Sequence, residues 1–455
     1  MRRSISSRAA IQAFTWLLLC GSSIVEAQVV ADQPAAILMF PKIVVDTSAG
    51  RADGVDTLIR ISNVSSDRPI SLHCFYVNTN GHCRSQPARI CDPYTVGAEN
   101  PCGPSDPCVP GWQETNFVVN ITARQPVAWL ASQGATLCDQ SANPDVPCFP
   151  LGDSRPGFEG QDNLDSRVPP VPENPFIGHL KCIAVDRNDV PLDRNDLIGE
   201  TEIVTRTLQG PPSDTPLYDV RAFNAVGITA IPDANNGDKT LVIGGGGCVG
   251  GERADLPCEE DDDCPGGECR VAEYNGCPNV LILDHFFEGA NDPVSGDIVN
   301  TKLTLVPCSE DFERQTPVTN PLQFLVFNEF EQRFSTSRII TCFREFRLID
   351  IDLSNEVRSI FSAAVNGTLT GQTRMRGVTG VKQCVGGSAE GDVCINDGSC
   401  PGGDCRENPR FGYTWVAIAE EFRRSEDPND APTGSAAFQV HFHGSRPQSD
   451  FIHLP

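Results

Sequence analysis

The chain has 455 residues, with 60 Asp and Glu against 35 Lys and Arg and a formal net charge of −25. That acidic excess is diffuse; its bland meaning is solubility, and it argues against nucleic acid as a partner. Beyond the first 27 residues no apolar run approaches the roughly 20 residues that a membrane span needs.

In chain order, Arg2, Arg3 and Arg8 precede an apolar run from Ala9 to Leu19, and Val25-Glu26-Ala27 fits a small-residue cleavage site. Residues 1–27 therefore read as a secretory signal peptide, which implies an extracytoplasmic protein, secreted or on the cell surface, with the periplasm as an alternative. A lipoprotein signal at Leu17-Leu18-Leu19-Cys20-Gly21 is disfavoured by the bulk of Leu19, and Arg2-Arg3 is only a weak twin-arginine signature. Loss of the signal would leave 19 of the 20 cysteines. In an exported chain they read as a disulfide framework, and the odd number leaves one thiol free or joined to another molecule.

The segments that follow alternate as half-buried strands do. Thr57, Ile59 and Ile61 share one face; Ile70, Leu72, Cys74 and Tyr76 share another, and Phe117-Val119-Ile121, Leu180-Cys182-Ala184, Leu322-Phe324-Val326, Ile339–Leu353, Tyr413–Phe422 and Phe438-Val440-Phe442 continue the series. Gly and Pro number 40 and 36, about 17% of the chain against a usual 12% or so, which suits many turns. One helix is expected over Glu356–Val365, where Val357, Ile360, Phe361 and Ala364 have helical spacing. The fold class is therefore all-β: two related Ig-like β-sandwich domains with small disulfide-rich insertions. The first is placed at 28–290, with Cys-rich insertions at about 83–148 and 248–269, and the second at 291–455, with an insertion at 384–405. Val55–Ile59 and Val299–Leu303 are read as their equivalent opening strands.

An internal repeat is the strongest signal. CVGGERADLPCEEDDDCPGGEC, from Cys248 through Cys258 and Cys264 to Cys269, matches CVGGSAEGDVCINDGSCPGGDC, from Cys384 through Cys394 and Cys400 to Cys405. Four cysteines in each copy predict two internal disulfides, and three connectivities are open. The offset of 136 also aligns Val280 with Val416 and Ile282 with Ile418, so the copies are expected between equivalent strands of the two domains. A degenerate third copy is read from Cys91 to Cys108. A segment so short and so poor in large apolar residues cannot build a core, and cross-links must replace burial. Among the cysteines outside the modules, the trio Cys277, Cys308 and Cys342 is expected to contain one unpaired thiol.

The repeat module resembles a short Cys-rich repeat of predicted secreted bacterial proteins, and LHCFYVNTNGHC and LVFNEFEQRFSTSR are similar to an uncharacterised family of them, which implies no activity. Cys394-x5-Cys400-Pro401-Gly402 also resembles part of the whey acidic protein core, without its closing Cys pair.

Two acidic positions recur in both modules, Asp261 with Asp397 and Glu268 with Asp404. They are the candidate Ca²⁺ ligands, set against a turn capped by side chains, because two carboxylates fall short of the usual six to eight ligands. No other cofactor is implied. His441 and His443 on one strand face are weighed as metal ligands and read as a solvent-facing polar strand face; the pair Asp284-His285 is weighed as an acid-base pair and read as polar residues at a strand end. The sequons at Asn63, Asn120 and Asn366 matter only in a glycosylating host. No catalytic fingerprint is present. The expected role is a non-catalytic structural or adhesion-type protein whose partners are other surface proteins, glycans or further copies of itself; the alternatives are a glycan- or Ca²⁺-binding module and a secreted hydrolase.

Overall fold

The computed structural model describes residues 33–47, 54–92, 111–137, 168–208, 216–234, 237–352, 358–378, 393–407, 414–424, 434–443 and 449–455, with the short pieces 29–30, 101–103, 106–109, 148–149, 382–385 and 387–388. The expected signal peptide lies outside these residues.

Eighteen strands build two sandwiches. The first uses β1 Ile37–Val45, β2 Gly54–Asn63, β3 Ile70–Asn78, β4 Gln113–Ile121, β5 Pro126–Leu130, β6 Phe176–Val185, β7 Leu197–Leu208, β8 Pro216–Asn224 and β9 Val226–Ile228. The second uses β10 Val280–Phe286, β11 Ile298–Pro307, β12 Thr319–Asn328, β13 Arg333–Thr341, β14 Arg344–Arg347, β15 Thr370–Gly377, β16 Trp415–Arg424, β17 Gly434–Gln439 and β18 His441–His443. In the first, β9-β1-β6-β3-β4 faces β8-β7-β2-β5; in the second, β18-β10-β15-β12-β13 faces β17-β16-β11-β14. Each strand of the first has its counterpart nine strands later in the same place, so the two sandwiches share one topology.

This alignment corrects two expectations. The segments around Val55 and Val299 are indeed equivalent, in β2 and β11, but each is the second strand of its sandwich, and β10 places the boundary well before residue 290. The opening strand β1 escapes notice because it is apolar on both faces, whereas β10 alternates and its Val280 and Ile282 are already read as part of a strand. Val280 and Val416, aligned by the repeat offset, lie in β10 and β16, which belong to opposite sheets of the same sandwich. The modules therefore do not occupy equivalent positions: 384–405 joins β15 to β16, and 248–269 lies in the connection between the sandwiches. The expected helix over Glu356–Val365 is, within its described part, a single turn at Ala363–Asn366, with Phe361 ahead of it in the core.

The first core packs Ile59, Ile61, Leu72, Tyr76, Phe117 and Trp129, with Trp129 Nε1 donating to Tyr76 Oη at 2.6 Å. The second packs Leu283, Leu303, Phe324, Met375 and Trp415. A third apolar cluster lies between them. The outer face of the β1-β6-β3 sheet, with Ile37, Met39, Phe75, Val77 and Ile183, packs on Leu241, Tyr274, Val306, Phe312 and Ile452. That second covered face explains why β1, β3 and β6 are nearly continuous apolar runs, as strands buried on both sides must be. Asp450–His453 runs antiparallel to Thr240–Ile243 and parallel to Glu310–Asp311, so a three-stranded sheet straps the junction.

Candidate functional site

The most elaborate polar structure is this junction. Lys181, on central strand β6, points out of the first sandwich, and its Nζ donates to Glu310 Oε2 at 2.6 Å and to the Pro307 carbonyl at 2.9 Å. Trp112 Nε1 donates to Glu310 Oε1 at 2.9 Å, and His179 Nε2 lies 3.3 Å from Oε2. The side chains of Lys181, Glu310 and His179 have no solvent exposure. Burial alone would raise the Glu310 carboxyl, but the Lys181 ammonium and the His179 ring hold it well below the usual carboxylate range. Burial also lowers His179, keeping it neutral, so it is the protonated Nε2 that serves Glu310.

A second buried knot repeats the chemistry. Lys42 of β1 bonds both Glu345 of β14 and Glu420 of β16, Arg221 Nε of β8 lies 3.1 Å from Glu420 Oε1, and Lys302 Nζ reaches Glu345 at 3.2 Å. Burial opposes ionisation of Glu345, yet Lys42 and Lys302 hold its carboxyl down at about 2. Each knot joins charges from both sandwiches, so separating them would strand buried charge.

Eight disulfides occur among the described residues. Cys248 pairs with Cys264 and Cys258 with Cys269; Cys384 pairs with Cys400 and Cys394 with Cys405. First joins third and second joins fourth, while first and fourth face each other across a two-stranded ladder. Cys83–Cys102 and Cys91–Cys108 repeat this crossed pairing, and Cys83 faces Cys108 in register. A third module therefore exists, but it opens at Cys83, which shifts each of its cysteines one place from the expected alignment. The glycines of the repeat are explained by close approach: Gly251 and Gly387 have positive φ, and a Cβ on either would meet the carbonyl of Pro265 or Pro401 at 2.4 Å.

The repeated carboxylates have specific partners. Asp261 Oδ1 and Asp397 Oδ1 each accept from the backbone N–H of the module's last cysteine, at 2.8 Å in both copies. Glu268 pairs with Arg270 and Asp404 with Arg406. One site is expected in each module, but among the described residues neither Asp261 with Glu268 nor Asp397 with Asp404 belongs to a group of three or more adjacent ligand atoms. Among the described residues, the groups of three or more adjacent potential ligand atoms are the cysteine trios of the modules, whose sulfurs are already bonded as disulfides.

Cys277 and Cys308 form a disulfide, and Cys342 is a buried thiol in the junction cluster, pushed up in pKa by burial and by Glu310. Asp284 and His285 do not form a surface pair, because they point to opposite faces of β10: Asp284 is exposed, whereas His285 is buried, bonded to Thr373 Oγ1 at 2.8 Å and to the Phe286 carbonyl at 3.0 Å. Burial lowers its pKa to about 4. His441 and His443 pair with Ile282 and Val280 through β18, but their side chains lie outside the described residues. Asn63 and Asn366 are buried with their amides donating to backbone carbonyls, which leaves no room for a glycan.

What sequence reasoning missed is the ionic junction. The only available signal was charged residues within apolar strands, Lys42 in ILMFPKIVV and Lys181 in FIGHLKCIAV. One open depression of about 660 Å³ lies over the second sandwich, lined by Asp284, Asn328, Glu329, Gln372, Arg374 and Glu421 among others. Two of its carboxylates already have partners, Asp284 in Gln372 and Glu329 in Thr370. No protein-family model matches the chain, and no curated protein matches it either.

Proposed function

We propose that the chain is a non-catalytic extracytoplasmic structural or adhesion-type component, built as a stiff rod segment of two sandwiches. The observation that carries this reading is the pair of buried ionic knots across the junction, which would strand buried charge if one sandwich left the other. A hinge for substrate closure would need a polar, weakly packed interface, and this one is apolar and charge-locked. The disulfides accord with an oxidising compartment, and the partners in this reading are surface proteins, glycans or further copies.

The test is activity and ligand screening of the purified protein. Steady turnover of glycan, ester or peptide substrates, abolished by one polar substitution, would overturn the reading. The open depression favours glycan binding as a second reading. A glycan that raises the thermal midpoint would support it, since a ligand of the folded state must do so.

A further inference from the structure

The two sandwiches have one topology but treat one face differently. In the first, the outer face of the β1-β6-β3 sheet is covered, and its central strand offers Lys181 to Glu310 of the next unit. In the second, the corresponding central strand β15 turns Arg374 and Arg376 outward to solvent, with Arg333 two strands away on edge strand β13. Leu325 and Ile282 flank Arg374 in register, and Gln323 and Val280 flank Arg376. Among the described residues none of the three arginines forms an ion pair; Nε of Arg374 and of Arg376 donates only to a glutamine oxygen. Ile339 of β13 is 54% exposed beside them. The three arginines and their apolar neighbours thus share this face with carboxylates at its border, where Asp284, bonded to Gln372, and Glu329, bonded to Thr370, line the depression with Arg374.

A complementary feature stands elsewhere on the molecule. The tip of module 248–269 carries Glu259, Glu260 and Asp262, all exposed. The described part of module 384–405 forms the same turn and the same crossed disulfides with Ile395, Asn396 and Gly398 in those places, so these features do not depend on the three carboxylates. Asp261 and Asp263 are occupied by backbone N–H groups, and Glu260 caps the same turn by accepting from the Asp263 N–H, which leaves Glu259 and Asp262 without such a duty.

We propose that copies of this chain associate head to tail, with the acidic tip of module 248–269 in one copy docking on the Arg333, Arg374 and Arg376 face of the next. This deepens the structural reading and rests on it. The two surfaces differ, so the contact is heterologous and propagates as a filament unless rotation closes a ring. The exposed pairs provide steering and register, and the apolar flanks provide buried area. Because the contact depends on charges at the surface, salt weakens it.

The experiment is sedimentation velocity on the full mature chain over a concentration series at about 20 mM and about 300 mM NaCl. The expected result is concentration-dependent growth at low salt that weakens roughly tenfold or more at high salt. The double variants Arg374→Gln/Arg376→Gln and Glu259→Gln/Asp262→Asn, each with an unchanged thermal midpoint, should each be monomeric. Mixed, they should form a dimer and nothing larger, because each supplies the one surface that the other lacks. A wild-type monomer at all concentrations, or variants that associate like wild type, would overturn the proposal. So would a monomer that binds the anionic polysaccharide alginate through the arginines, which would assign the face to a glycan. Turnover without loss of association would instead sink the structural reading alone.

Discussion

Lys181 Nζ and Glu310 Oε2 stand 2.6 Å apart with no exposure to solvent, although one belongs to the first sandwich and the other to the connection that closes on it from the second. A buried pair contributes little net stability over apolar replacements of the same volume, but removing one member leaves the other charge stranded. Glu310→Ala is therefore expected to cost about 3–5 kcal/mol, while Lys181→Met with Glu310→Leu costs much less. Urea unfolding followed by tryptophan fluorescence reads both, since Trp112 is bonded to Glu310. Equal losses in the single and double variants would refute a charge-locked junction.

Acid should unfold the protein in two stages. His285 is held at about 4, below its ordinary 6.5, so the unfolded chain takes up its proton first and stability falls as pH drops from about 6.5 to 4. Glu345 is held at about 2, below its ordinary 4.5; its contribution is complete above the ordinary value and is lost as pH falls from there toward 2. Thermal midpoints measured from pH 7 to 2 should fall along both limbs, and Glu345→Gln should make the lower one shallower, leaving the part that Glu310 contributes.

Fold class was legible because alternation and turn residues are local properties. In residues 70–78 the alternation gives the face of Ile70, Leu72, Cys74 and Tyr76, yet Phe75 and Val77 point the other way onto Phe312 and the junction, and no local pattern announces a second covered face. The cysteine spacing revealed the modules but not the crossed pairing, which depends on how a two-stranded ladder turns its side chains. The repeat offset does not carry over to the flanking strands, because a self-contained cross-linked unit can be accommodated in any connection. The ionic junction was illegible because Lys42 and Glu420 are 378 residues apart and meet only once both sheets exist.

Cys342 offers a probe of junction opening. Its thiol is buried and its pKa is raised, so it has little thiolate to react. The native protein should resist labelling at this position by a maleimide for hours and react within minutes in guanidinium, as read by peptide mass spectrometry. Rapid native labelling at Cys342 would mean that the junction opens far more readily than two buried ionic knots allow.

The module carboxylates allow a sharper test, because two roles predict different orders of damage. If Asp397 Oδ1 serves as the acceptor for the Cys405 N–H, an amide oxygen can replace it: Asp397→Asn should be nearly neutral, whereas Asp397→Ala should lose the bond and destabilise the module by about 1 kcal/mol. Asp261 should behave alike in its own module, since the same bond is made there at the same distance. The loss is best read as faster reduction of the Cys394–Cys405 or Cys258–Cys269 disulfide by a limiting thiol, because the module has little core to hold its turn once the bond is gone. A Ca²⁺ role predicts otherwise. Neutralising a ligand would then hurt as much in the Asn as in the Ala variant, and added Ca²⁺ would protect wild type but neither variant. An Asn variant that matches wild type with and without Ca²⁺ assigns these carboxylates to the turn; one that matches the Ala variant assigns them to the cation.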